Sequence, residues 1–150
     1  MGNSERRWSG VFKEDKKRLG HASEKVGVMK VVDTDIFVDF FSGVSQAASF
    51  LQNNADDIFF AAITKAELLA GRVCNDPLER ERVFHVLSQF EKIPIYNPLV
   101  QVVGDFRSKY GIEIPDAIVA ACAFVIGGTL ITRNVQDFEK IKEIRVEKPY

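Results

Sequence analysis

Residues 114–138, IPDAIVAACAFVIGGTLITRNVQDF, carry most of the evidence for the fold. An acid, Asp116, stands at the start of an apolar helix, a Gly-Gly turn and a short apolar strand follow, and a polar segment from Asn134 to Asp137 comes directly after that strand. Strands that alternate with helices build a parallel sheet, whose ligand crevice lies at the carboxyl ends of the strands. Both polar groups in this stretch are therefore predicted to face one crevice.

The rest of the chain continues this alternation. Apolar, β-branched segments predict strands at 28–32, 58–62, 93–96, 129–132 and 144–146, with helical patterns between them. Pro94 places the third strand at an edge or at a strand start. We predict an α/β fold, a three-layer α/β/α sandwich with a mostly parallel sheet of about five strands.

Length and charge divide the chain into two parts. Its 150 residues suffice for one compact domain, which we place at 29–150. Residues 1–28 are polar, with seven Lys and Arg against four acids, and we expect a charged, flexible N-terminal extension, either a cloning remnant or an overextended start. A short helix that docks through Trp8 and Phe12 is the alternative. Residues 29–150 hold thirteen basic and seventeen acidic residues, an acidic excess that suits a cation-binding site.

The cysteines and the apolar runs indicate a cytoplasmic protein. Cys74 and Cys122 lack CxxC or His-partner spacing, so we expect buried thiols in a reducing compartment. No apolar run approaches the roughly 18 residues that a membrane span needs, and the N-terminus lacks the apolar core of a signal peptide.

Each acid near a predicted strand end has an ordinary structural explanation. Asp33 follows the first strand and is a good helix N-cap, as is Asp35. Glu67 follows Thr64 at the spacing of a capping box. Asp116 stands at a helix start, where capping explains it and the helix dipole favours a carboxylate. Asn134 and Asp137 together fit a common turn, so none of these acids alone indicates a site.

Together the acids support a functional interpretation, because capping gives no reason for them to converge on one crevice. Carboxylates held within a few ångströms repel one another unless a divalent cation lies among them. Mg²⁺ and Mn²⁺ prefer such oxygen ligands, and Mg²⁺ usually keeps water positions open for substrate phosphates.

Four motifs resemble those of PIN-domain ribonucleases, and within that family they are most similar to VapC-type toxins of type II toxin–antitoxin pairs. The resemblance covers about residues 29–148, with the motifs in the order and spacing of the family. They are VVDTDIFVDFF (31–41), ITKAELLAG (63–71), IPDAIVAACA (114–123) and TRNVQDF (132–138).

The resemblance implies an endoribonuclease that depends on Mg²⁺ or Mn²⁺, and it assigns roles to individual residues. Asp33 and Asp116 would be the principal metal ligands, Glu67 a ligand or a water-orienting group, and Asp137 a substitute for the family's fourth acid, because Asn134 stands where that acid would fall. The supporting or substrate-contacting residues would be Thr34, Asp35, Thr132, Arg133 and Asn134. The number of metal ions, one or two, stays open.

The resemblance also implies partners: an RNA substrate, a cognate antitoxin protein and a second copy of the chain in a homodimer. Two alternatives remain at this stage. One is a PIN-type RNase or DNA nuclease that is not a toxin, and the other is a catalytically silent module that binds RNA or protein.

Overall fold

The computed structural model describes residues 29–150, so the predicted N-terminal extension lies outside the described residues. The strands are β1 (Lys30–Val32), β2 (Ile58–Ala61), β3 (Glu91–Ile93), β4 (Thr129–Ile131) and β5 (Arg145–Glu147). The helices are α1 (Thr34–Phe41), α2 (Ser45–Asn53), α3 (Ala62–Ala70), α4 (Pro77–Leu87), α5 (Asn97–Tyr110), α6 (Ile114–Ile126) and α7 (Val135–Phe138).

The five strands form one sheet in the order β3-β2-β1-β4-β5, and all four pairings are parallel. The chain runs outward from β1 to β3 and then returns to the other side of β1 with β4. The strand order therefore reverses between β1 and β4, and a crevice opens at the carboxyl ends of strands at such a switch point. The residues that follow β1 and β4 are placed at this point.

Helices cover both faces of the sheet, as the predicted three-layer α/β/α sandwich requires. Val31 and Leu130 point into a core shared with α5 and α6, whereas their chain neighbours Val32 and Ile131 point into a second core shared with α1 to α4. Burial on both faces explains why the strands are almost continuously apolar. The predicted fold class is confirmed.

The turn between α6 and β4 needs both of its glycines. Gly127 ends α6 with a φ of 66°, a left-handed conformation that glycine adopts without a steric penalty. A Cβ atom on Gly128 would lie 2.7 Å from the carbonyl oxygen of Met29. The Gly-Gly pair thus lets β4 start directly beside β1.

Two predicted boundaries are wrong for physical reasons. The third strand is Glu91–Ile93 instead of 93–96, because Pro94 has no N–H to donate to the sheet and therefore ends the strand. The helix that carries Glu67 begins at Ala62 instead of Thr64, so Thr64 lies inside the helix and the capping-box interpretation is wrong. β3 does lie at an edge, as Pro94 predicted.

Two predictions about the cysteines and membrane spans can be compared with residues 29–150. Cys74 and Cys122 are both free and buried, as predicted. Within this part of the chain no helix is long and apolar enough to cross a membrane.

Candidate active site

Asp33 occupies the position between β1 and α1 and is almost fully buried, with 7% of its surface exposed. Its Oδ1 accepts a hydrogen bond from the backbone N–H of Thr34 at 2.8 Å, so it caps α1 as the ordinary explanation predicted. Its Oδ2 accepts from the hydroxyl of Thr132 at 2.9 Å. The cap therefore leaves the second oxygen directed toward β4, at the switch point of the sheet.

Thr132 and Arg133 hold Asp35 beside Asp33. Oδ2 of Asp35 accepts from the backbone N–H of Arg133 at 2.9 Å and lies 3.3 Å from the Thr132 hydroxyl. The same hydroxyl accepts from the backbone N–H of Asn134 at 3.1 Å. Oδ1 of Asp35 is buried without a hydrogen-bond partner among the described residues, an arrangement that costs free energy unless another group binds there.

Glu67 is tied to the same site through two threonines. Oε1 of Glu67 lies 2.8 Å from the hydroxyl of Thr34, which lies 2.9 Å from the hydroxyl of Thr64. Thr64 is fully buried, whereas Glu67 is exposed. Because Thr64 precedes Glu67 by one helical turn, its side chain lies on the same face of α3 and supports this contact.

Asp116 lies in the first turn of α6 and is half-buried, but it does not cap the helix. The N-cap position is occupied by Glu113, and no side chain accepts a capping hydrogen bond there. Asp137 lies on α7 and is exposed. The capping explanation for Asp116 therefore fails, while the helix dipole still favours a carboxylate at this position.

Burial and the charges of neighbouring acids raise the pKa values of Asp33 and Asp116. Burial, followed by the charge of Asp35, raises the pKa of Asp33 to about 7, and Asp116 adds to this increase. Burial, followed by the charges of Asp137 and Glu67, raises the pKa of Asp116. Four elements of the fold thus contribute to one acidic region, which we call the acid cluster: Asp33, Asp35, Glu67, Asp116 and Asp137.

Arg133 partly offsets this negative charge. Burial raises the pKa of Asp35, while the hydrogen bond from the Arg133 backbone and the Arg133 charge oppose that increase. The guanidinium itself is bound elsewhere, since its Nε lies 2.8 Å from Oδ2 of Asp39 on α1. Tyr150 donates from its hydroxyl to the same oxygen at 2.7 Å.

Sequence reasoning missed three of these supporting residues: Thr64 as a hydrogen-bond partner, Asp39 and Tyr150. A signal existed for Asp39, because it follows Asp35 by four residues and so lies on the same face of α1. No signal existed for Tyr150, whose contact with Asp39 joins residues 111 positions apart.

The acid cluster is looser than a preformed metal cage. Among residues 29–150, no three His, Cys, Asp or Glu side chains stand close enough to hold a metal ion together. Mg²⁺ usually binds one or two carboxylates and keeps several waters. The raised pKa values of Asp33 and Asp116 and the unpartnered oxygen of Asp35 suit a cation of this kind, whose charge would relieve their repulsion.

Comparisons with known proteins agree with this architecture. A family model described as PIN domain matches residues 30–144. Ribonuclease VapC19 of Mycobacterium tuberculosis is 29% identical over 134 residues, a match that covers 81% of this chain and 100% of that protein.

Two solved structures illustrate the similarity of the fold. A toxin–antitoxin complex from Klebsiella pneumoniae is 31% identical with a TM-score of 0.71, covering 81% of this chain and 98% of that one. VapBC2 from Rickettsia felis, bound to a DNA fragment from its promoter, is 22% identical with a TM-score of 0.71, covering 80% and 98%. The second likeness supports the fold alone.

Proposed function

Because the chain belongs to the PIN domain family, we propose that it is an endoribonuclease and the toxin of a toxin–antitoxin pair. The observation that carries this proposal is the acid cluster at the switch point of the sheet, where the charges of Asp116, Asp137 and Glu67 interact. The similarity to a VapC ribonuclease and to a toxin–antitoxin complex supports the same activity.

The residues at this site fit a divalent cation, and we propose Mg²⁺ or Mn²⁺. Asp33 and Asp116 would hold it directly, and Glu67 and Asp137 would hold its water molecules. The donor set consists of hard carboxylate oxygens, which these ions prefer. When bound, the ion supplies a Lewis acid that acidifies water and neutralises charge on a phosphodiester.

The protein's own residues orient the reacting groups. Thr132 fixes the direction of the Asp33 carboxylate, and Thr34 fixes that of Glu67. Glu67 is exposed and has a second oxygen available to orient an attacking water molecule. Precise placement of this kind can contribute much of the rate of a hydrolytic enzyme.

The antitoxin is proposed to occupy an apolar groove beside Glu67, between α1, α3 and α4. Its lining includes Val38, Phe41, Leu68 and Val73 together with Glu67. Val38 and Val73 are 47% and 62% exposed, which is unusual for valine. An apolar peptide segment would cover these side chains, and a cationic residue on it would neutralise the acid cluster. Co-expression pull-downs with V73D should lose the antitoxin if this placement is right.

A homodimer in the cytoplasm is the expected assembly and location. Both expectations come from the family and not from a contact within residues 29–150. Light scattering of the purified protein gives the mass of the assembly directly, and a monomer at micromolar concentration would contradict the dimer.

The decisive experiment is cleavage of single-stranded RNA and DNA with Mn²⁺, with and without chelator. We expect RNA cleavage that stops with chelator and with D116N. D105N is the matched control, since Asp105 is an exposed acid on α5 outside the cluster. Cleavage by D116N, or cleavage of DNA alone, would contradict the proposed activity. Growth arrest that a neighbouring small gene rescues would support the toxin role.

A further inference from the structure

A polar cleft of about 300 Å³ lies beside the acid cluster. Its lining is residues 133–137 together with Lys148. Asp137 lines this cleft and also belongs to the acid cluster, so the two sites are adjacent. This volume is at the lower end of the range for sites that bind small ligands, about 300 to 1,000 Å³.

Lys148 reaches this cleft because of the sheet register. The parallel pairing of β4 and β5 places Ile131 beside Glu147, and the N–H of Thr132 donates to the carbonyl of Glu147 at 3.1 Å. Lys148 is the next residue and therefore lies at the carboxyl ends of the strands, alongside Arg133. The two residues bring positive charge to the edge of the sheet that carries the acids.

A polyanion that approaches the acid cluster needs such local positive charge. Residues 29–150 carry more acids than bases, so the overall field of this part repels phosphates. Arg133 is committed to its ion pair with Asp39. Lys148 is exposed, and it takes part in none of the ion pairs among residues 29–150.

We infer that this cleft binds the backbone phosphates of the RNA strand next to the bond that is cut, and that Lys148 makes the principal phosphate contact. This inference rests on the proposed function for the identity of the substrate. Lys148 carries a single positive charge on a flexible side chain and would recognise no particular base, so the contact is expected to be independent of the RNA sequence. The neighbouring amides of Asn134 and Gln136 supply hydrogen-bond donors and acceptors along the same wall.

The test is binding of a fluorescein-labelled single-stranded RNA dodecamer to the full chain in chelator, where cleavage is not expected, measured by fluorescence anisotropy at several salt concentrations. We expect K148A to weaken binding roughly five- to tenfold at low salt and to reduce the salt slope by about 0.7. U-rich and A-rich dodecamers should lose affinity equally. Residues 1–28 are present in every variant, so their contribution cancels.

K142A is the matched control. Lys142 is exposed and precedes β5, so it lies toward the amino ends of the strands, away from the cleft. Wild-type affinity for K148A, or an equal loss for K142A, would overturn the inference. A cleavage assay separates this outcome from failure of the proposed function. If the wild type binds RNA through Lys148 but cuts none with Mn²⁺, the cleft stands and the nuclease proposal fails.

Discussion

The hydroxyl of Thr132 lies 2.9 Å from Oδ2 of Asp33, although 99 positions separate the two residues in the chain. This contact joins the ends of β1 and β4 at the point where the strand order reverses. Thr132 is fully buried and its hydroxyl also accepts from the N–H of Asn134, so one side chain fixes an acid and the start of the following segment.

Removal of that hydroxyl should affect both stability and activity. In T132V the valine keeps the volume, but Oδ2 of Asp33 and the N–H of Asn134 lose the hydroxyl as a partner. This loss costs about 1–3 kcal/mol in the free energy of unfolding. The bond also lowers the pKa of Asp33, so its loss should move the acidic limb of the pH–rate profile upward. T132S restores the hydroxyl and is the control. Equal profiles for T132V and the wild type would exclude this role.

Neutralising Asp33 should separate activity from stability. D33N keeps an N-cap, since Asn and Asp cap equally well, but it removes a buried charge whose pKa is raised from 3.8 to about 7. One pKa unit corresponds to about 1.4 kcal/mol, so the metal-free variant gains up to about 4 kcal/mol at pH 8 while cleavage is lost. D33A loses the cap as well and should gain less. Urea unfolding in chelator measures the difference, and a destabilised D33N would contradict it.

The metal-free protein should become less stable as the pH rises from about 4 to about 7. In this window the unfolded Asp33 has released its proton while the folded residue still holds it, so the native state binds more protons and its stability falls with pH. The raised pKa values of Asp35 and Asp116 act in the same direction. Urea unfolding at pH 5 and pH 7.5 tests the sign.

D33N should flatten this dependence, and added Mg²⁺ should stabilise the wild type more at pH 7.5 than at pH 5, because protons compete with the ion. A stability that rises with pH in chelator would mean that the carboxylates are satisfied without a cation.

The buried Thr64 should matter through Glu67. T64V removes a hydroxyl 2.9 Å from that of Thr34, which in turn contacts Glu67. We expect about 1–2 kcal/mol of lost stability and a lower kcat with an unchanged KM, since Glu67 is misdirected but the RNA contacts remain. T64S should behave like the wild type. An unchanged kcat in T64V would mean that Thr34 alone orients Glu67.

Tyr150 should stabilise the end of the chain through Asp39. Y150F removes a 2.7 Å hydrogen bond to Asp39, and we expect a loss of about 1 kcal/mol in the free energy of unfolding. Asp39 also binds Arg133, so a double-mutant cycle with D39A, which removes the acceptor, isolates the Tyr150 contribution. Additive effects of Y150F and D39A would show that the two side chains do not interact in solution.

Much of the fold could be predicted from sequence because its signals are local. Continuous apolar runs indicate strands buried on both faces, and the Gly-Gly pair marks the turn before β4. Asp76 and Pro77 are a local signal for the start of α4, where Asp76 caps the helix. The strand predicted at 93–96 was wrong because Pro94 cannot donate to the sheet and ends β3 at Ile93. The helix start predicted at Thr64 was wrong because α3 begins at Ala62, directly after β2.

The main acids of the candidate site could be predicted from the sequence, but the contacts that hold them could not. The motifs identify Asp33, Glu67 and Asp116 individually, and their proposed roles await the experiments above. The bridging function of Thr132, the Thr34–Thr64 pair and the anchoring of Arg133 by Asp39 and Tyr150 became visible only in the folded chain.

The sequence by itself determined the alternation of strands and helices, the apolar faces and the acids at the strand ends, because each depends on neighbouring residues. Only the tertiary structure decided which strands lie side by side, and hence which acids share one region. That choice depends on the packing of helices on both faces of the sheet. It brings Asp33 and Thr132 into contact and raises the pKa of Asp33, chiefly because burial acts on this carboxyl only in the folded state.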